Sequence, residues 1–164
     1  MRTVPLYGNK AAGRVALVDD EDYDLVMQYR WNVHECNRSS PCGPYAVTHG
    51  PRSPGNRPTI RMHNLIIGFS FVDHINHDGL DNRRENLRSA SNQDNNRNRR
   101  KVMRGHSQFK GVTRAHKTRW TARIRVNGRS VWLGYFRSEV DAALAYDAAA
   151  RKYFGEFAYP NFPD

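Results

Sequence analysis

Residues 72–96 read VDHINHDGLDNRRENLRSASNQDNN, and the order of functional groups in this run decides how the rest of the chain is read. Asp73 stands beside His74, Gly79 marks a turn, Asn86 sits inside ENL, and the run closes on amides ending at Asn95 and Asn96. A carboxylate is a hard oxygen ligand for a divalent cation, and an adjacent imidazole is a base that can activate water beside it. Asparagine carbonyls complete such a site, or brace a histidine by hydrogen bonding, without adding charge. A lone Asp-His pair would read as turn chemistry. Five such groups in order within 25 residues point to a metal-dependent nuclease.

The segment resembles the His-Asn-His (HNH) nuclease motif of the phage and intron homing-endonuclease type, and the flanking Leu87-Arg88 fits the same pattern. That resemblance implies a ββα-metal finger, in which a hairpin and a helix clasp one divalent metal. Carried over by position, it implies Asp73 as a metal ligand, His74 as the general base, Asn86 as the residue orienting His74, and Asn95 as the second ligand. The implied cation is Mg²⁺, with Mn²⁺ as the alternative, because Mg²⁺ keeps several waters and needs few protein oxygens. Arg83, Arg84 and Arg88 are candidates for gripping phosphate oxygens, although each alone reads more often as a solvated charge.

The whole chain is basic. Its 164 residues, 38% hydrophobic and 26% charged, carry a net charge of +10, which suits a polyanionic partner. The excess grows along the sequence, from +2 over residues 1–72 to +3 over 73–107 and +5 over 108–164. No acidic residue occurs between Asp94 and Glu139, an interval that holds thirteen Lys/Arg interrupted by aromatics, so it reads as a binding surface. Cys36 and Cys42 are too few for a disulfide scaffold. A mixed zinc site with His34 and His49 is one alternative, and free thiols in a reducing cytosol are the simpler account. No apolar run spans a membrane and the first residues lack a signal-peptide core, so a soluble, cytoplasmic protein is expected.

Four segments are expected. Residues 1–61 read as a small α+β support module, with strands at 4–7 and 14–18, a helix over 21–29 capped by Asp19 or Asp20, and strands at 31–34 and 45–49. Residues 62–98 form the nuclease core: a strand over 69–75, a loop over 76–84, a return strand over 85–88, and a short helix that turns Asn95 back towards Asp73. Turn chemistry accounts for Asp78-Gly79 and Asp81-Asn82. His63 reads more simply as a structural histidine than as a site residue. Residues 99–107 form a basic linker suited to tracking a phosphate backbone.

Residues 108–164 read as a sheet on a helix. Asn127-Gly128 is the strongest short hairpin signal and joins strands 120–126 and 129–136. A two-residue turn pairs Arg125 with Ser130, Arg123 with Trp132 and Ala122 with Leu133. One face then holds Trp120, Ala122, Ile124, Val131, Leu133 and Tyr135, and the other holds Thr121, Arg123, Arg125, Ser130 and Trp132. A helix from Ser138 to Phe154, rich in alanine and ended by Gly155, covers the first face. The pieces FKGV (109–112), VWLGYF (131–136), AALAYDAAA (142–150) and NFP (161–163) resemble the plant ethylene-response-factor (apetala-type) DNA-binding domain. By position Lys110, Arg123, Arg125 and Trp132 occupy its contact slots, with Arg114 and Arg119 nearby. Arg123 stands where that family carries an acidic residue and the loop over 115–119 is short, so the plant target preference does not transfer.

The sequence thus predicts an α+β chain, a ββα-metal nuclease module followed by a three-stranded antiparallel sheet packed on one helix. The expected function is metal-dependent, site-specific cleavage of double-stranded DNA by a monomer, leaving 5′-phosphate and 3′-hydroxyl ends, in a phage or other mobile element. The alternative is a non-cleaving DNA-binding regulator that has kept a degenerate nuclease fold.

Overall fold

The computed structural model describes residues 1–35, 43–52, 55, 57–91, 94, 97–98 and 107–163. The chain divides into two compact units, Met1–Asn92 and Gln93–Asp164.

In the first unit β1 (Arg2–Pro5) and β2 (Val15–Val18) pair antiparallel, with Val4 opposite Ala16. Helix α1 (Asp20–Val26) follows, its first turn carrying Asp20, Glu21 and Asp22, the charge that a helix N-terminus favours. The sequence predicts a helix to residue 29, but it stops at Val26. The buried Trp31 indole donates to the Val26 carbonyl at 2.7 Å, and Tyr29 N–H reaches the same oxygen, so the last turn folds back on itself. Strands β3 (Asn32–His34), β4 (Tyr45–His49) and β5 (Thr59–Arg61) form an antiparallel sheet with β4 in the middle. Helix α2 (Met62–Ile67) ends at Gly68, whose φ of 78° makes the left-handed cap.

Next comes a short antiparallel ribbon of β6 (Val72–His74) and β7 (Leu87–Ser89), in which Asp73 faces Arg88 and His74 faces Leu87. The expected strands over 69–75 and 85–88 are shorter than predicted: Arg84–Asn86 is a 3-10 turn, and past the His74–Leu87 pair the ribbon continues only as an Ile75 N–H bond to the Asn86 carbonyl at 2.9 Å among the described residues. Phe69 and Phe71 are left exposed.

The support residues and the motif share one core: Val4, Val18, Val26, Trp31 and Met62 pack in the same cluster as Leu80 and Leu87. The loop between β6 and β7 is also stitched to β2. Leu17 N–H donates to the Leu80 carbonyl and Asn82 N–H donates to the Leu17 carbonyl, each at 2.8 Å. Gly79 lies so close to the Tyr45 ring that an added Cβ would stand 2.6 Å from its nearest carbon, so only glycine lets this loop close.

In the second unit β8 (Val112–His116), β9 (Arg119–Val126) and β10 (Arg129–Phe136) form an antiparallel sheet with β9 central, and helix α3 (Glu139–Phe154) covers it. Ser138 caps α3 by accepting from Val140 N–H and Asp141 N–H. Ala142, Ala143, Ala149 and Ala150 are buried against the sheet, and their small side chains allow the close approach. Buried Asp147 holds the tail: its carboxylate accepts from the Asn161 backbone at 2.7 Å, the Asn161 side chain at 2.9 Å and Phe162 N–H at 2.9 Å.

The hairpin register holds from Val126–Arg129 to Arg123–Trp132 and then slips at a β-bulge. Ala122 pairs with Gly134 rather than Leu133, with Gly134 at φ 136°, a value an L side chain rarely adopts. The expected face of Tyr135 is thereby reversed. It pairs with Thr121, is 56% exposed, and stands beside Trp132 instead of under the helix.

Gly111 offers a test of this packing. Its φ is 76°, and a Cβ there would enter the Tyr146 ring and stand 2.7 Å from the Arg123 carbonyl. Gly111→Ala should cost about 3 kcal/mol or more, read as a lower urea midpoint by tryptophan fluorescence. An unchanged midpoint would contradict the contact.

Candidate functional site

The site is built at the end of the β6–β7 ribbon. Asp73 and His74 are the last residues of β6, and alternation turns them to opposite sides. Buried His74 directs Nε2 to the Asn82 Oδ1, a long contact of 3.5 Å, and Asn82 is itself wholly buried. An amide oxygen only accepts, so this contact fits the tautomer with its proton on Nε2. Burial holds the His74 pKa below its ordinary 6.5, opposed by the Asn82 hydrogen bond and by the charges of Asp73, Asp78 and Asp81. The ring is therefore neutral at neutral pH, the state a base needs.

Asn86 acts one step away. Its Nδ2 donates to the Asp81 carbonyl at 2.7 Å and its Oδ1 accepts from Asn76 N–H at 2.9 Å, so both ends of the amide close the 76–82 loop. The Asp81 carboxylate takes Asn76 Nδ2 at 2.8 Å and the Arg83 guanidinium at 2.7–2.8 Å, and the hydrogen bond from Arg83 holds its pKa low. Asn86 thus fixes the loop that carries Asn82, and Asn82 meets His74.

Asp73 faces its cross-strand partner: Arg88 Nη2 lies 2.7 Å and Nε 3.1 Å from Asp73 Oδ2. The Asp73 carboxylate is largely buried and is a hard oxygen group on the strand that carries the candidate base. The implied second ligand, Asn95, lies outside the described residues, as do Cys36 and Cys42. Among the described residues no group of three or more His, Cys, Asp or Glu could hold a metal ion by itself.

Sequence reasoning set aside three residues that the structure brings here. His63 on α2 lies edge-on to His74, with ring centroids 4.8 Å apart at 84°, and Tyr45 on β4 packs against both at 5.3 and 5.7 Å. Burial first, then His74 and Arg61, push the His63 pKa down to about 3. Asn82, read as turn chemistry, is the third. Its one legible signal was an amide inside a loop that follows the Asp-His pair.

The motif arginines face carboxylates of their own unit. Arg83 pairs with Asp81 and Glu85. Arg84 pairs with Glu21 and the buried Asp22 at 2.8 and 2.7 Å, and its backbone N–H donates to Asp19. Arg88 pairs with Asp73. In the second unit the sheet presents Arg123, Arg125 and Trp132 outward together, with Trp132 56% exposed and its indole N–H donated to Thr121 Oγ1 at 3.2 Å. Arg119 is exposed at the start of β9. Arg114 pairs in register with Trp120, where its guanidinium lies 5.8 Å over the ring and donates to the Lys117 carbonyl. Lys110 is half-buried, its Nζ on the Arg97 carbonyl at 2.6 Å, and burial lowers its pKa to about 8.

His63 makes the first unit acid-sensitive. Between pH 6.5 and about 3 the unfolded chain holds a proton on His63 that the folded chain does not. Stability should therefore fall as pH drops through that window, by about 1.4 kcal/mol per pH unit for one proton. Urea midpoints at pH 7 and pH 5 should fall more for the wild type than for His63→Phe, and equal losses would contradict the burial.

No protein-family model matches the chain. It is 36% identical to an uncharacterized HNH endonuclease of Acanthamoeba polyphaga mimivirus, over 93% of this chain and 77% of that protein. It is 30% identical to APETALA2-like protein 2 of Oryza sativa subsp. indica over 81% of this chain, which spans about a third, 32%, of that relative. Dehydration-responsive element-binding protein 2D of Arabidopsis thaliana is 45% identical over 34% of this chain and 28% of its own length. Among the described residues no helix is long and apolar enough to cross a membrane. With an HNH relative matched along nearly its whole length and apetala-type relatives matched over about a third of it, the chain belongs to the HNH endonuclease family and carries a C-terminal domain of the apetala type.

Proposed function

We propose that the protein is a metal-dependent, site-specific DNA endonuclease of the homing type, with His74 as general base and the C-terminal sheet as its targeting surface. The observation that carries this reading is the neutral, buried His74, in contact through Nε2 with Asn82 at the end of the strand that also carries Asp73. In the reaction His74 Nδ1 takes a proton from water, whose oxygen attacks the phosphorus in line as the 3′ oxygen leaves. Products carry 5′-phosphate and 3′-hydroxyl ends. Asp73 and Asn95 would hold the divalent cation, Mg²⁺ or Mn²⁺, which supplies Lewis-acid stabilisation of charge on the phosphodiester when bound. Asn86 keeps the loop closed so that Asn82 holds the imidazole tautomer.

Arg83, Arg84 and Arg88 already pair with carboxylates, so phosphate would compete with those partners for their guanidinium donors. Arg123, Arg125 and Trp132, with Arg114, Arg119 and Lys110 as lesser contributors, supply the binding surface. The matched names of apetala-type relatives include an element-binding protein, which supports DNA as the partner of this domain. A single nuclease centre in a monomer cuts one strand per engagement.

Cleavage of a DNA library with Mg²⁺ tests the chemistry. Wild-type protein should give ends clustered at one sequence, and EDTA or His74→Ala should abolish them while the variant's DNA affinity stays near wild type. DNA bound but uncut by the wild type would favour a non-cleaving regulator instead.

The targeting surface has its own test. Trp132→Ala or Arg125→Ala should weaken specific binding by about 1–3 kcal/mol. An unchanged footprint in both would remove this face from recognition.

A further inference from the structure

His63 does more than fill space beside His74. It is 4% exposed, and its Nδ1 is buried with no hydrogen-bond partner among the described residues. Leaving such a group unsatisfied costs about 1–3 kcal/mol. Its packing surroundings are two rings, Tyr45 at 5.3 Å and His74 at 4.8 Å, both in edge contact. A phenyl ring would keep those contacts without the desolvated nitrogen. A histidine here is the more expensive way to make the same packing, and among the described residues nothing repays the burial of its Nδ1.

His74 is 5% exposed, as buried as His63, and the two rings are in edge contact, so the proposed base and His63 share one wall of the site.

We propose that His63 is a second catalytic imidazole of the nuclease centre, whose Nδ1–H donates a hydrogen bond to an oxygen of the reacting phosphodiester. The proton stays on His63, and the bond is strongest as negative charge builds on the phosphate, so it favours the transition state over bound DNA. The role rests on the reading of His74 as the base.

The experiment compares His63→Phe, His63→Asn and His74→Ala in the full chain with Mg²⁺, measuring urea stability, DNA affinity and single-turnover cleavage. His63→Phe should be at least as stable as the wild type and bind DNA equally well, yet cleave about 10²-fold more slowly. His63→Asn, whose amide stands near the position of Nδ1, should recover part of that rate. A His63→Phe protein that cleaves at the wild-type rate while His74→Ala is inactive overturns the role of His63 and leaves the function intact. A His63→Phe protein that loses stability and cleavage together makes His63 a packing residue and overturns it as well. Cleavage by His74→Ala would remove the base, and this inference with it.

Discussion

Everything at the site depends on one asparagine that spends both ends of its amide on backbone. Asn86 bonds the Asp81 carbonyl with its nitrogen and the Asn76 N–H with its oxygen, closing the loop between the two ribbon strands like a clasp. Hydrogen bonds in such a buried setting are costly to break, since each leaves a desolvated partner behind. The clasp closes the loop that carries Asn82, and Asn82 is the residue that meets His74 Nε2. A two-stranded ribbon of three-residue strands is marginal by itself. Here its loop is also bonded to β2, and its apolar residues Leu80 and Leu87 are part of the core of the first unit.

That arrangement changes what the N-terminal residues are for. They looked like a support module beside a nuclease finger, yet the structure gives the two a common interior and a backbone bridge between Leu17 and Asp81. Asp19, Glu21 and Asp22 on the first strand-to-helix turn take up Arg84, so the acids of one segment balance the bases of the other. The pairs differ in weight. Asp22 is buried and would be left as an uncompensated charge without Arg84, whereas the Glu21 contact lies at an exposed surface and contributes little.

Element types were largely legible: the hairpin at Asn127-Gly128 and the alanine-rich helix with its serine cap lie where periodicity and turn residues put them, and the strands of the first unit are present, with the first one shifted from 4–7 to Arg2–Pro5. Misses came where tertiary contacts overrule local pattern. Trp31 shortens α1, the 3-10 turn at Arg84–Asn86 shortens the ribbon, and the bulge at Gly134 reverses Tyr135. Alternation assumes an unbroken ladder, and one inserted residue reverses every side chain after it. At the candidate site, Asp73, His74 and Asn86 were singled out by their order in the chain. Asn82, His63 and Tyr45 were not, because burial of a polar loop residue and contact between separate elements have no signature in a short window.

Trp132 carries a consequence of its own. Its single donor is already given to Thr121, which in turn donates to the Gly134 carbonyl and lies buried beneath it. The indole is pinned by a relay that ends in the backbone of the bulge, and it meets the outside world as an apolar blade with no hydrogen left to offer. Such a blade senses contour and methyl bulk and is blind to the polarity of what it touches. Substitutions on the opposing surface would then alter the fit by degrees, so this face is built to tolerate gradual change in its partner where the arginines next to it are not.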